Sequence, residues 1–262
     1  MNGELPVGRW ERAIAARVSR RRYLPRAPDP SLLQRLEDHC ARFRPLGAAR
    51  ALPVSPCPPN LFRGIVGSYG SIRGAPCCLA FVGPAGSEVQ VGYVGEAAVL
   101  EATVLGLGTC WVGGLFRPDS LGDRVALGLG ERVWAVAAVG LPVERKTLEE
   151  RLMAGIARSH KRKPAEVLAP GIGSWPAWAA RAVTAARLAP SALNRQPWRF
   201  RREGETLVLC ADGPDTYAIP KRLDCGIALL HTELGARAAG WTGSWELLPA
   251  PGVAAFRHSS TP

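Results

Sequence analysis

The stretch APSALNRQPWRF, residues 189–200, sets Ser191, Asn194 and Gln196 between two prolines, Pro190 and Pro197. Upstream, SWPAWAARAVTAARLAP (174–190) reads as a helix that must stop near Pro190, because the residue before a proline disfavours helical backbone. Downstream, WRFRREGETLVLCAD (198–212) alternates around a Glu-Gly turn and reads as a hairpin. A plain connection would need only Asn-Gly or its like. This one presents donors and acceptors together. Two readings stand side by side: a helix cap supplied by Ser191, or a surface that reads a polar heterocycle.

Working outward, VGRWERAIAARVSRRRY (7–23) places Trp10, Ile14 and Val18 on one helical face. PDPSLLQRLEDHCARF (28–43) reads as a second helix, with Asp29 as cap, Pro30 as first helical residue and Leu32, Leu33, Leu36, Cys40 and Phe43 as its apolar stripe. Residues 44–60 are Pro-rich and read as irregular. APCCLAFVG (75–83) and RVWAVAAVGLP (132–142) read as buried strands, with a helix over GEAAVLEATVLGLGTCWVGG (95–114) between them. LDCGIALLHTELGARAAGW (223–241) reads as a helix with Leu223, Ile227, Leu230 and Leu234 inward, closed at Gly240. SWELLP (244–249) reads as a last strand. Both halves run helix, strand, helix, strand, which makes the class α+β.

The 262 residues are 47% hydrophobic and 21% charged, a globular composition long enough for a substantial core. The net charge of +11 attracts anions without naming one. Seven scattered cysteines form no C-x-x-C pair, so zinc-finger and thioredoxin patterns are absent; small buried thiols in a reducing compartment are expected, hence the cytoplasm. The longest uncharged runs are short and glycine-broken, so no membrane span is expected. His39, His160, His231 and His258 share no metal-ligand spacing. The nucleophile elbow G-x-S-x-G and the Walker phosphate loop are absent. Nucleic-acid binding has the charge but no recognition motif or stacking platform, and is not expected.

Three further stretches carry chemistry. RVSRRRY (17–23) offers Arg17, Ser19 and Arg21, two guanidinium forks and a hydroxyl suited to a phosphate; a solvated basic helix end reads equally from the same residues. GLGTCWVGG (106–114) lets backbone approach a flat or charged ligand, or is a helix end with Trp111 in the core. HKRKP (160–164) holds a phosphate or is a basic loop between the halves.

Taken together, the four stretches resemble the FMN-dependent nitroreductase family. Arg17, Ser19, Arg21 and Tyr23 resemble its N-terminal FMN motif, APSALNRQPW its P-S-x-x-N-x-Q-P-W signature, LGLGTCWVGG its glycine-rich signature, and RKP after GLP its fourth. The order departs from the usual family chain, where P-S-x-x-N follows the first motif after about one helix. Here it comes in the second half, and PVSPCPPNLF (53–62) stands where it would be expected. The usual member is a homodimer whose P-S-x-x-N segment reaches the FMN held by the other subunit, so a chain of two fused halves could keep one complete site. The resemblance extends to a single-chain branch, the "putative TM nitroreductases", to whose C-terminal helix residues 223–245 are similar.

The resemblance implies a nitroreductase-like fold of mostly antiparallel sheets flanked by helices, with residues 1–163 and 164–262 as two half-domains of an intramolecular pseudo-dimer, monomeric as a chain. It implies FMN, with Arg17, Ser19, Arg162 and Lys163 at the phosphate, and Arg21 at the N1/O2 edge. The Gly113 amide lies at N5, with Val112 and Gly114 shaping the approach. Pro190, Ser191 and Asn194 close the site from the second half, and Gln196, Pro197 and Trp198 fix the turn. It implies ping-pong transfer from NAD(P)H to nitroaromatic or quinone-like acceptors, with the flavin and no protein acid or base carrying the chemistry. Residues 44–70 are expected to act as a lid. A non-catalytic flavin-binding protein and a specialised relative performing dehalogenation or flavin fragmentation remain open beside this reading.

Overall fold

The computed structural model describes residues 5–47, 49–63, 71–143, 162–215 and 218–259. Among these, five helices of two turns or more are α1 (Val7–Ala16), α2 (Pro30–Arg42), α3 (Glu88–Val104), α4 (Ala177–Ala186) and α5 (Lys221–Ala238). The strands are β1 (Arg50–Val54), β2 (Cys77–Pro84), β3 (Gly108–Val112), β4 (Glu131–Gly140), β5 (Trp198–Glu203), β6 (Thr206–Ala211), β7 (Gly243–Leu247) and β8 (Gly252–His258). They form two antiparallel four-stranded sheets with the same connectivity, ordered β1-β2-β4-β3 and β5-β6-β8-β7. The class is α+β, as the sequence implies.

Most elements stop where their chemistry stops them. Asp29 caps α2 by accepting from the Ser31 N–H at 2.8 Å, and Pro30 opens it. Gly240, with φ +79°, lets the chain turn out of α5. Three expectations need correction. The helix expected over 95–114 ends at Val104, because Gly106 turns the chain in the left-handed region (φ +77°) and residues 108–112 pair with β4 instead. Val18 is exposed, because the backbone leaves the helix at Arg17 and runs extended. Part of the region 44–60, expected to be irregular, forms β1. Its Pro53 is tolerated because β1 is an edge strand with a partner on one side only. The strand β8 was not anticipated.

The two sheets are joined through α3 and α5, and one continuous apolar core contains residues of both halves. In α5 every residue from Leu223 to Ala236 is buried, so the single inward face expected for it is in fact a whole buried circumference. Where the helices cross, a Cβ on Gly92 would lie 2.1 Å from the Leu223 carbonyl oxygen, and one on Gly226 would lie 2.0 Å from that of Val89. Glycine is required there by backbone approach. The contact is reciprocal: 92 meets 223 as 226 meets 89, and the equivalent positions, 89 with 223 and 92 with 226, have the same chain separation. Gly106 and Gly240, and Trp111 and Trp245, keep that separation too. An internal two-fold axis therefore passes through this crossing. Tyr93 of α3 donates its hydroxyl to Glu233 Oε2 of α5 at 2.7 Å, adding a polar tie across it.

Candidate functional site

The first motif is built by the end of α1. Arg17 is its C-cap, with its side chain only 8% exposed. The chain then runs beside β3: Ser19 bridges Thr109, and the Arg20 N–H donates to the Thr109 carbonyl at 2.8 Å. This brings Ser19, Arg17 and Arg21 to Cys110, whose thiol is pushed up by burial and held back by those three groups. Beyond Arg21, the Arg73 N–H donates to the Arg21 carbonyl at 2.9 Å, so residues 71–75 flank the motif.

The glycine-rich stretch is β3 and its exit. Trp111 occupies the space that Gly95 leaves, since a Cβ there would lie 2.4 Å from the indole. Val112 is buried, and Gly113 and Gly114 follow the strand. Gly113 packs against the second half: a Cβ on it would lie 3.0 Å from Ile219 Cγ2. The Ile219 carbonyl in turn accepts from Arg195 Nη2 at 2.9 Å, linking the glycine exit to the 189–200 turn.

That turn is held under strain. Leu193, Asn194 and Gln196 have φ of 56°, 56° and 47°, left-handed conformations that cost non-glycine residues about 1–3 kcal/mol each. The bonds that fix them are local and partly buried. Ser191 Oγ accepts the Gln196 N–H at 3.0 Å, and Gln196 Nε2 donates to the Asn194 carbonyl at 3.0 Å. Ser191 thus closes the turn on itself rather than capping a helix. Pro190 ends the approach from α4, and Gln196, Pro197 and Trp198 are buried beneath. Asp224, in the first turn of α5, anchors the whole: it accepts the Ala192 N–H at 3.1 Å and Arg195 Nε at 2.7 Å. Burial pushes this carboxyl up to about 6, and Arg195 opposes the rise.

Arg162 and Lys163 join the two halves; His160 of the same basic cluster lies outside the described residues, as do residues 64–70 of the expected lid. The Lys163 N–H donates to Gln196 Oε1 at 2.9 Å, and its amine to the Gln196 carbonyl at 3.1 Å. Lys163 is therefore engaged with the turn. Arg187, the C-cap of α4, donates Nε to the Lys163 carbonyl at 3.1 Å. Burial lowers the Arg162 guanidinium, and the positive fields of Arg17 and Arg187 lower it further. The guanidiniums of Arg17 and Arg187 thus lie near enough to Arg162 for their charges to act on it, and Arg17 Nε is buried without a hydrogen-bond partner. This donor set fits an anion with several acceptor oxygens, such as a phosphate.

All four stretches meet here, through Ser19–Thr109, Arg17–Arg162, Lys163–Gln196 and Gly113–Ile219–Arg195. Sequence reading missed Arg187, Asp224, Ile219 and Cys110. Arg187 carried a signal: Ala15-Ala16-Arg17 and Ala185-Ala186-Arg187 end α1 and α4 alike. Among the described residues no three His, Cys, Asp or Glu side chains group to hold a metal, and no helix is long and apolar enough to cross a membrane. A cavity of about 310 Å³ is lined by Cys57, Phe62 and Arg63 and by Ser71, Ile72, Gly74 and Ala75 of the segment that flanks Arg21.

This architecture is the nitroreductase fold. A solved structure described as a putative nitroreductase from Thermotoga maritima superposes with a TM-score of 0.62 at 21% identity, covering 98% of this chain and 96% of the other. The chain belongs to the family described as "Putative TM nitroreductase", which matches residues 11–236. A nitroreductase with bound FMN from Desulfitobacterium hafniense covers 53% of this chain and 91% of its own at 19% identity (TM-score 0.43). Another with bound FMN, from Bacteroides fragilis, covers 55% and 92% at 17% identity (TM-score 0.42). None of the curated proteins matches the chain.

Proposed function

We propose that this protein is an FMN-dependent oxidoreductase that passes electrons from NAD(P)H to a nitroaromatic or quinone-like acceptor. Its one FMN site is shared by residues 1–163 and 164–262, acting as fused halves of a dimer within a monomeric chain of the cytoplasm. The observation that carries this reading is the gathering of Arg17 and Arg162 from the first half with Arg187 from the second, beside a strained turn of the second half. Three cations repel one another unless an anion joins them, and strain held by a local network of bonds supports a place built for a ligand.

FMN when bound supplies hydride acceptance and donation at N5, so donor and acceptor use one face in turn. The chain's own residues do the rest. Arg17, Arg162 and Ser19 hold the phosphate, with Arg187 added to the expected set. Lys163 assists by fixing the turn against the first half. Arg21 faces the N1/O2 edge and steadies negative charge there. The Gly113 amide donates at N5, and Val112 and Gly114 keep the approach open. Pro190, Ser191 and Asn194 close the site from the second half.

The test is a visible spectrum of the purified protein with flavin and protein quantified together, followed by anaerobic NAD(P)H. About one FMN per chain that bleaches supports the reading. Bound flavin that stays oxidised moves the protein to a flavin-binding role, and no flavin after reconstitution refutes the assignment. Arg17→Ala is expected to raise the FMN Kd at least about tenfold while leaving the fold intact.

A further inference from the structure

Glu96 and His231 are buried titratable groups that the cofactor reading leaves unused. Both side chains are fully buried and meet from opposite halves, α3 and α5, with Nε2 of the imidazole 2.9 Å from Glu96 Oε1. The other ring nitrogen, Nδ1, lies 3.3 Å from the Ala185 carbonyl oxygen, two residues before Arg187. Glu96 Oε2 accepts the Trp111 indole N–H at 2.8 Å, and Oε1 stands 3.9 Å from Arg17 Nε.

A carbonyl oxygen and an ionised carboxylate both only accept, whereas a neutral imidazole has a single N–H. Serving both oxygens takes a second proton. Either an imidazolium faces a carboxylate, or a neutral imidazole accepts at Nε2 from a protonated carboxyl. In both arrangements the pair carries no net charge. The stand-off of Arg17 agrees. A bare carboxylate draws a guanidinium to about 2.7–2.9 Å. Elsewhere in this core Arg195 reaches Asp224 at 2.7 Å and Arg237 reaches Glu233 at 2.8 Å. Arg17 stays back, with Nε unbonded.

We propose that His231 is a charge-balancing residue of the anion site. By sharing the second proton with Glu96, it leaves the pair without the net charge that would draw in Arg17 and keeps the guanidinium available to the phosphate of the cofactor. The groups facing the pair are Arg17 from the end of α1, Trp111 from β3 and the Ala185 carbonyl from α4. The same contacts tie the anion site to both central helices. His231 touches no cofactor atom in this scheme; it acts through Glu96 and Arg17, and the scheme rests on the FMN reading above.

The test uses FMN and riboflavin, which lacks the phosphate, titrated onto the full chain. His231→Gln can still donate to Glu96 but cannot take up the shared proton. Its FMN Kd should rise at least about tenfold while riboflavin stays within about twofold. Adding Glu96→Gln to His231→Gln should restore FMN binding to within about threefold of the parent, and Glu96→Gln alone should not weaken it. A merely structural role would weaken both flavins together and show no rescue. The proposal is overturned if His231→Gln binds FMN as tightly as the parent, or if Glu96→Gln selectively loses FMN. Should His231→Gln fail to fold, the Glu96→Gln result decides. A parent chain that binds neither flavin overturns the cofactor reading, and this inference with it.

Discussion

Replacing Gly226 with Ala tests the crossing on which the two halves turn. The added Cβ would sit 2.0 Å from the Val89 carbonyl oxygen and 2.8 Å from its carbonyl carbon. Ordinary C···O contacts begin near 3.3 Å, so α3 and α5 must part by roughly 1.3 Å. The obstacle is backbone, which has no alternative rotamer. The cost should therefore reach or pass the upper end of the about 1–3 kcal/mol of ordinary overpacking. Alanine returns about 1 kcal/mol of helix propensity. The net loss is about 2–3 kcal/mol, which at about 2–4 °C per kcal/mol lowers Tm by roughly 4–12 °C. Urea and thermal unfolding read this directly. Gly92→Ala meets the Leu223 carbonyl oxygen at 2.1 Å and should cost as much. Because one separation relieves both clashes, the double variant should lose clearly less than the sum. A Gly226→Ala protein as stable as the parent, or more so, would show that propensity alone governs this position and would remove the argument for an obligatory close crossing.

Asp224→Ala should cost about 3–5 kcal/mol, since it leaves Arg195 unpaired in a buried setting, and should loosen FMN binding through the turn; chemical denaturation and flavin titration check the two effects. Because burial raises the Asp224 carboxyl from 3.8 to about 6, the folded state binds that proton more tightly than the unfolded chain. Its contribution to stability is complete below pH 3.8 and is lost as pH rises through about 6, so Asp224→Asn should flatten that part of a stability–pH curve. Arg187→Ala should raise the FMN Kd about tenfold with riboflavin unchanged, measured by fluorescence quenching. Under limiting iodoacetamide, peptide mapping should find Cys57 alkylated before Cys40. A hydrogen bond with Cys78 lowers the Cys57 thiol, whereas burial pushes Cys40 up to about 12.

The helices were legible where one face alone is apolar, as in α1 and α2, because a 3.6-residue stripe survives in the bare sequence. The end of α3 was not. Leu105 and Leu107 continue the apolar run past Gly106, and only pairing with β4 reveals the strand. Pro53 hid β1, since an edge position cannot be read without the sheet. At the site, Arg17, Arg21, Arg162 and the P-S-x-x-N turn were legible by resemblance, and Arg187 was not. Asp224 was not, because a carboxylate beside Leu223 and Cys225 looks like the solvated side of a helix until Arg195 is brought to it from 29 positions away. Glu96 and His231 were hidden for the same reason, 135 positions apart.

The internal two-fold has a consequence for how charge is placed in this core. In an assembly of identical chains, a buried acid near the axis has an identical acid across it, and both must be accommodated. Here the position equivalent to Glu96 is Leu230, and the one equivalent to His231 is Ala97, by the spacing that relates Gly92 to Gly226. One side of the axis carries the Glu96–His231 pair while the two equivalent positions carry only hydrocarbon. Joined in one polypeptide, the two sides of the axis are free to differ, so a buried charge has to be accommodated on one side only.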